Sequence, residues 1–361
     1  MKKTDSILII VQRSNGDVLL SLPLVESLYK YFNKPNIDLL INDDTLSVAK
    51  LLPNIRHIHQ FSYQEKRDNR WQQEKRIIRS IYKKYDLSIN LTASDRSVIY
   101  ALLSGRRSIS AVEKNQKKSW WKRILLSHYY EFDDEEHILK NNLTPLEILG
   151  VDFSPLFKIS KPSTKTFERI NSKFNIDYKS RFVIFHPSAQ YNYKIYPTEL
   201  RNQLLKLLDS IGVNIVITGG NHKTDQKIKT TLPKLNNAIN LIGKTTIKEY
   251  IALSEMSLGY IGMDTLNMHI ASGQDKPIFA IFGPTKLSMW SPWSNKLQSC
   301  ATVNSPVQTY DKTTIFQAQI PKIDFACNEK GCFDKNGNKV RFNYTSPQDV
   351  FNKIKGWFNN V

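Results

Sequence analysis

LGYIGMDTLNMHIASGQDKPIFAIFGPTKLSMWSPW, residues 258–293, is the stretch whose reading decides the fold of this chain. It opens with a short apolar run, Leu258 to Ile261. It breaks at Gly262 and passes through Asp264 and Thr265, two residue types that cap helix N-termini. A helical segment with Met268, His269 and Ala271 follows, then a second apolar run, Pro277 to Phe282, and a stop at Gly283-Pro284-Thr285. Strand, turn, helix, strand and loop in that order make a parallel α/β unit. Ligands in such units bind outside the carboxyl ends of the strands. Here that end is Gly262-Met263-Asp264-Thr265, and the helix starting there offers free N–H groups and its positive dipole end to an anion such as a diphosphate.

The same grammar runs outward in both directions. Upstream, Arg181 to Phe185 reads as a strand ending at His186-Pro187-Ser188, and Lys194-Ile195-Tyr196-Pro197 precedes a helix over 198–208. Asn214 to Ile217 is the next strand, closed by Thr218-Gly219-Gly220. Asn240-Leu241-Ile242-Gly243-Lys244-Thr245-Thr246 leads into a helix over 247–255. The first half starts with a buried parallel strand at 6–12, a tight turn Arg13-Ser14-Asn15-Gly16-Asp17 and a helix over 18–32 with Pro23 early in it, where it does least harm. Further strands are expected at 37–41, 55–61 and 85–91. A charged helix over 65–85 turns Trp71, Ile77, Ile78, Ile81 and Tyr82 inward. The stretch 150–166 has little periodicity and reads as an interdomain linker, while 300–345 is less regular and Asn-rich. A Ser cap and Pro347 at the first position start a last helix with Val350, Ile354, Trp357 and Phe358 on one face.

Taken together, these residues resemble the lipopolysaccharide heptosyltransferases, glycosyltransferase family 9. The resemblance rests on Gly16-Asp17 with Leu22-Pro23, on His186-Pro187 and Lys194 through Pro197, on Asn240 through Thr245, and on Asp264-Thr265 with His269, Phe282-Gly283-Pro284-Thr285 and Trp290. Five positions depart from the family's usual pattern. Tyr196 replaces a tryptophan, Ala189-Gln190 replace hydroxyl residues, Asn221 stands where an acidic residue follows Gly-Gly, and Leu266 stands where a glycine follows Asp-Thr. The absent acid at 221 leaves the identity of the nucleotide open.

The resemblance implies a GT-B fold of the α/β class, with two Rossmann-like parallel-sheet domains facing a central cleft. Residues 1–155 form the acceptor domain, 156–345 the donor domain, and 346–361 a helix packing back on the first domain. It implies an inverting transfer of a heptose from ADP-heptose to a lipopolysaccharide core acceptor. Asp17 is then the catalytic base, and Arg96, after the fourth strand, grips an acceptor phosphate bidentately. Lys194 meets the donor diphosphate, aided by Ser188 and by the Thr265 hydroxyl, while Asp264 and His269 orient the sugar or secure the loop. Backbone near Lys244 and Thr245 contacts the base. No cofactor is implied. No paired carboxylates for a divalent cation stand out, and a metal requirement is left open.

Composition sets the remaining bounds. At 361 residues, two domains are expected. The balance of 51 Lys and Arg against 33 Asp and Glu gives +18, which points to anionic partners or to a solvated basic surface. The most basic stretch, 105–130, interleaves Arg106, Arg107, Lys114, Lys117, Lys118, Lys122 and Arg123 with Trp120, Trp121, Tyr129 and Tyr130. That pattern suits a membrane interface, single-stranded nucleic acid, or a core in which the tryptophans pack while the lysines face water. No nucleic-acid motif is present, so nucleic acid is not an expected partner. The expected partners are a nucleotide-sugar donor, an anionic glycolipid acceptor and the inner membrane as a peripheral contact. No apolar run approaches the about 18 residues of a membrane span, so a cytoplasmic protein at the inner face of the membrane is expected. Cys300, Cys327 and Cys332 are read as free thiols. Alternatives from other classes are a binding module that kept the fold without its chemistry, a transferase for another nucleotide sugar, and an epimerase of similar architecture.

Overall fold

The computed structural model describes residues 4–114, 117–176, 181–303, 305–328 and 330–360. The chain divides into two compact units, Met1–Phe157 and Lys158–Val361. The first holds a six-stranded parallel sheet made of β1 (Ser6–Val11), β2 (Asn36–Asn42), β3 (Ile55–Phe61), β4 (Tyr85–Asn90), β5 (Gly105–Val112) and β6 (His128–Glu131). The order is β3-β2-β1-β4-β5-β6. β1 is central, and Ile7 through Ile10 are wholly buried on both faces, which is why that strand is a continuous apolar run without alternation. Around the sheet run α1 (Asn15–Leu19), α2 (Leu22–Tyr31), α3 (Leu46–Ala49), α4 (Tyr63–Ile81), α5 (Asp95–Ser104), α6 (Trp120–Leu125) and α7 (Ile138–Ile148).

The second unit carries α8 (Thr164–Phe174), β7 (Phe182–His186), α9 (Thr198–Ser210), β8 (Asn214–Ile217), α10 (Lys223–Thr230), β9 (Ala238–Asn240), α11 (Ile247–Met256), β10 (Tyr260–Met263), α12 (Leu266–Gly273), β11 (Ile278–Phe282) and α13 (Leu287–Trp290). β12 (Val307–Tyr310) and β13 (Thr313–Gln317) complete a seven-stranded sheet of order β12-β13-β11-β10-β7-β8-β9, with β12 antiparallel at the edge. In each sheet the strand order reverses once, at β1/β4 in the first and at β7/β10 in the second. The carboxyl ends flanking such a reversal are where α/β sheets place their ligands.

Several expectations are corrected. The helix read over 18–32 is two helices, because α1 starts earlier and breaks at Leu20-Ser21. Trp71 was expected inside but is 74% exposed, and Tyr82 is exposed too, whereas Ile77 and Ile81 are buried. Buried Gln73, Ile77 and Ile81 mark the inner face; Trp71 lies nearly opposite Gln73 around the helix, and Tyr82 is the extended C-cap residue past the last turn. Cys327 and Cys332 are not free thiols: they are joined in a disulfide. They sit directly opposite each other in an antiparallel hairpin of β14 (Phe325–Asn328) and β15 (Gly331–Asp334), a pairing that only the turn between them creates. The final helix, α14 (Pro347–Phe358), spends Val350, Phe351, Ile354 and Trp357 on the core of the second unit, beside Leu204, Leu205 and Leu208 of α9. Leu266 needs no positive φ, since it is the first residue of α12.

Candidate active-site residues of the two units

In the first unit the chain leaves β1 at Gln12 and turns into α1. Ser14 is extended (φ −76°, ψ 171°) and forms a capping box with Asp17. Asp17 Oδ2 accepts from the Ser14 N–H at 3.1 Å and from the Ser14 hydroxyl at 2.6 Å. Its Oδ1 pairs with Arg13 Nε at 2.8 Å. The carboxylate is 3% exposed. Ser14 thus donates two hydrogen bonds to Oδ2, while Oδ1 is ion-paired with Arg13 and accepts no hydrogen bond from any described residue. The loop after β4 is pinned beside this turn. Gln12 N–H donates to Thr92 Oγ1 at 3.0 Å, and Asn90 holds Thr92 from both sides through its amide. Ser94 caps α5, whose second residue is Arg96. The Arg96 guanidinium carbon sits over Phe61, 3.6 Å from the ring centroid, and 5.4 Å from that of Tyr63. It also reaches Gln12 Oε1 and the Tyr63 hydroxyl, each at 3.4 Å. The fold therefore brings Arg96 and Asp17 to adjacent residues of one loop, Gln12 and Arg13.

In the second unit β7 and β10 end side by side. Lys194, in a short turn after β7, places its ammonium 2.7 Å from Asp264 Oδ2, at the end of β10. Asp264 is nearly inaccessible and Lys194 mostly so. Burial pulls the Lys194 ammonium down, but the Asp264 carboxylate beside it, by charge and hydrogen bond, more than offsets this and holds it above the ordinary lysine value. Thr265 caps α12 by accepting from the Asn267 N–H at 3.2 Å. Ser188 lies buried past β7, and His269 lies buried one turn into α12. Thus Lys194, Asp264 and Thr265 gather at one strand end. Lys244 and Thr245 do not join them. They follow β9, three strands along the sheet from β10, and Lys244 is exposed.

Gly283 explains why the two strongest motifs of this unit belong together. A Cβ there stands 2.7 Å from Tyr193 O, 3.0 Å from the Tyr344 hydroxyl and 3.3 Å from Lys194 Cα. The Tyr344 hydroxyl donates to Tyr193 O at 3.1 Å. A glycine in the Phe-Gly-Pro turn is what lets the Lys194 segment pack this closely. Gly283→Ala is expected to cost about 1–3 kcal/mol of stability and to weaken binding of a nucleoside diphosphate several-fold by displacing Lys194. Melting curves and calorimetry read both, and unchanged values mean the segment yields freely.

Other contributors lay beyond reach of the sequence. His186, the last residue of β7, has Nδ1 2.9 Å from Thr218 Oγ1 and 3.1 Å from Asn267 Nδ2. Asn267 is 81 residues away and no spacing marks it. Asp225 takes the acidic role in the Gly-Gly turn: its oxygens accept from the Gly220 and His222 N–H groups at 3.0 Å each. Tyr196, where the pattern has tryptophan, is fully buried and donates its hydroxyl to Thr345 O at 2.6 Å, a bond an indole would place differently.

A family model described as glycosyltransferase family 9 (heptosyltransferase) matches residues 75–319. The chain belongs to glycosyltransferase family 9. It is similar to lipopolysaccharide heptosyltransferase 3 of Escherichia coli, 26% identical over 300 residues, which cover 79% of this chain and 85% of that protein. Among solved structures, a glycosyl transferase family 9 protein from Veillonella parvula superposes with a TM-score of 0.76 at 18% identity, covering 99% of this chain and 98% of that one. The E. coli ADP-heptose lps heptosyltransferase II superposes at 0.67 with 17% identity, covering 97% and 98%. The fold of this glycosyltransferase is GT-B.

The glycosyltransferase has a pH-dependent weak point at His186. Burial pulls its imidazole down to about 4, against the pull of the Asp225 carboxylate. The unfolded chain, with its ordinary value near 6.5, binds the proton first as pH falls. Stability from this residue is therefore complete above about pH 6.5 and is lost toward pH 4, by about 3 kcal/mol over that range. His59 of the first unit, also pulled to about 4 mainly by burial, adds in the same direction. Melting temperatures between those limits are expected to fall in the wild type and to fall less in His186→Gln; equal slopes overturn the assignment.

Proposed function

We propose that this glycosyltransferase moves a heptose from ADP-heptose to a core acceptor of lipopolysaccharide, with inversion at the anomeric carbon. The observation that carries the reading is the buried Lys194–Asp264 pair at the capped N-terminus of α12. An ammonium has three donors. Asp264 takes one and orients the rest, so Lys194 and the first N–H groups of α12 offer a diphosphate a cationic seat. The relatives named for lipopolysaccharide and ADP-heptose favour heptose as the sugar and ADP as its carrier.

In this reading Asp17 takes the proton of the acceptor hydroxyl as that oxygen attacks the anomeric carbon. The bond from that carbon to the diphosphate breaks, and the charge that develops on the leaving oxygen falls on Lys194, the Thr265 hydroxyl and the α12 N–H groups. Ser188 adds a hydroxyl to the donor seat. His269 supports the helix that carries Thr265, and Asp264 holds Lys194 in place. Lys244 and Thr245 meet the nucleoside through the loop after β9. Arg96, held over Phe61 and Tyr63, meets a phosphate on the acceptor. Contact with the membrane belongs to the same reading, since the acceptor is a glycolipid.

Asn221 favours a second reading, a different nucleotide sugar, because no acid occupies the position that holds the nucleoside in the family's usual pattern and Asp225 is already used by the turn. Thermal-shift screening against ADP-, UDP- and GDP-sugars separates the two. Stabilisation by ADP-heptose above the others, followed by transfer to a lipopolysaccharide core acceptor, is the expected result. A preference for UDP- or GDP-sugars transfers the assignment to the second reading.

A further inference from the structure

We infer that the outward face of α6, with the neighbouring edge strand β6, is a docking surface for an anionic lipid bilayer. The docking itself stands on the surface of the first unit and is independent of the proposed donor chemistry; only its use for positioning an acceptor rests on that reading.

Adjacent tryptophans part ways here. Trp121 turns inward against Val98, Val112 and Leu126. Trp120 is 63% exposed, and one turn on, Ile124 and Leu125 are 69% and 60% exposed. Tyr129 adds a fourth large exposed side chain from β6, while Tyr130 beside it is buried. Positions 120 and 124 share a helix face, so the exposed apolar groups form one patch rather than a scatter. The interleaving of aromatic and basic residues noted in the sequence thus resolves into an outer set and an inner set.

The rim of the patch is basic. Lys117 and Lys118, just ahead of α6, are exposed and form no ion pair with any described residue. Glu131, the last residue of β6, pairs with Arg123 at 2.9 Å, and of the acids after it Asp133 pairs with Lys114 at 3.7 Å and Glu136 with Lys140 at 3.2 Å. A tryptophan and aliphatic side chains flanked by unpaired lysines match the depth profile of a bilayer, apolar inward and cationic at the headgroups. An apolar patch alone would also suit a protein partner; the exposed, unpaired lysines beside it favour an anionic bilayer.

Lys122 gives the patch a second property. It is fully buried, although it sits in the most basic stretch of the chain. Its ammonium meets Glu113 at 2.7 Å, Asp95 at 2.7 Å and Ala93 O at 2.8 Å. Asp95 and Ala93 belong to the loop that positions Arg96. A bilayer seated on α6 is therefore tied through one side chain to the segment proposed to meet the acceptor phosphate.

The test is co-sedimentation of the full chain with vesicles of equal parts phosphatidylcholine and phosphatidylglycerol, and with phosphatidylcholine alone, without donor or acceptor. Binding to the mixed vesicles, reduced by salt, is expected, with little binding to the neutral ones. Trp120→Ser with Ile124→Ser and Leu125→Ser is expected to lower partitioning about tenfold or more. Lys117→Glu with Lys118→Glu is expected to remove the preference for the anionic vesicles. Both variants leave Trp121, Lys122 and Leu126 in place, and circular dichroism is expected to match the wild type. Wild-type protein that stays in the supernatant overturns the inference, as does a triple variant that sediments as before. A wild-type dimer that the triple variant dissolves, with no vesicle binding, assigns the face to a second copy and overturns it too. Since no sugar is transferred in the assay, its failure leaves the proposed reaction standing, and failure of that reaction leaves the docking standing.

Discussion

Asp17→Asn lowers transfer by about 10²–10⁴-fold and leaves nucleotide binding unchanged, if the carboxylate is the base that the acceptor hydroxyl needs. The surroundings of Asp17 make this a sharp test. Ser14 already donates two hydrogen bonds to the carboxylate and Arg13 is ion-paired with it, so a purely structural role as a helix cap would account for its burial. The two roles separate by size. Loss of a cap costs about 1 kcal/mol of stability and is felt in the melting temperature, with turnover scaling only with the folded fraction. Loss of a base removes turnover from protein that remains folded. Ser14→Ala is the control: it takes two oxygen contacts down to one and leaves the base, so it is expected to shift melting with little effect on rate. Turnover near wild type in Asp17→Asn would reduce the residue to its cap.

Lys194→Ala has the second large effect, and it has two parts. Charge-assisted hydrogen bonds are worth about 1.5–3 kcal/mol, so affinity for ADP is expected to drop by about 10–100-fold by calorimetry. The same substitution leaves Asp264 buried without its cation, which costs about 3 kcal/mol of stability. Adding Asp264→Asn restores most of the stability by removing the unpaired charge and restores none of the affinity. If ADP binds the single variant as tightly as the wild type, the ammonium does not meet the diphosphate. If the double variant regains affinity, the loss was a consequence of local unfolding.

Much of the fold was legible because parallel strands buried on both faces leave unbroken apolar runs. Ile7–Val11, Ile37–Ile41 and Pro277–Phe282 announce β1, β2 and β11 for that reason. β5 and β6 were hidden within the stretch read as a basic patch, since β5 opens with Gly105-Arg106-Arg107 before its buried half begins. The irregular look of 300–345 concealed β12, β13 and the disulfide hairpin, whose strands are too short for a periodic signal. Of the candidate residues, the group at 264–265 was marked by turn and cap chemistry. Its partner Lys194 lies 70 residues away, and only the resemblance pointed to it. Lys122 was misread as surface charge, because a sequence shows that a lysine is present but not that Glu113 and Asp95 fold around it.

Joining Cys327 to Cys332 leaves this chain with Cys300 as its one reduced sulfhydryl. It is partly accessible and lies against Ser288 O in the first turn of α13. A maleimide dye or spin label therefore reports from one address in the oxidised protein without any engineered substitution, and from three addresses after reductant. The ratio of incorporated label between those conditions counts the hairpin's staple directly in whatever compartment the protein is drawn from.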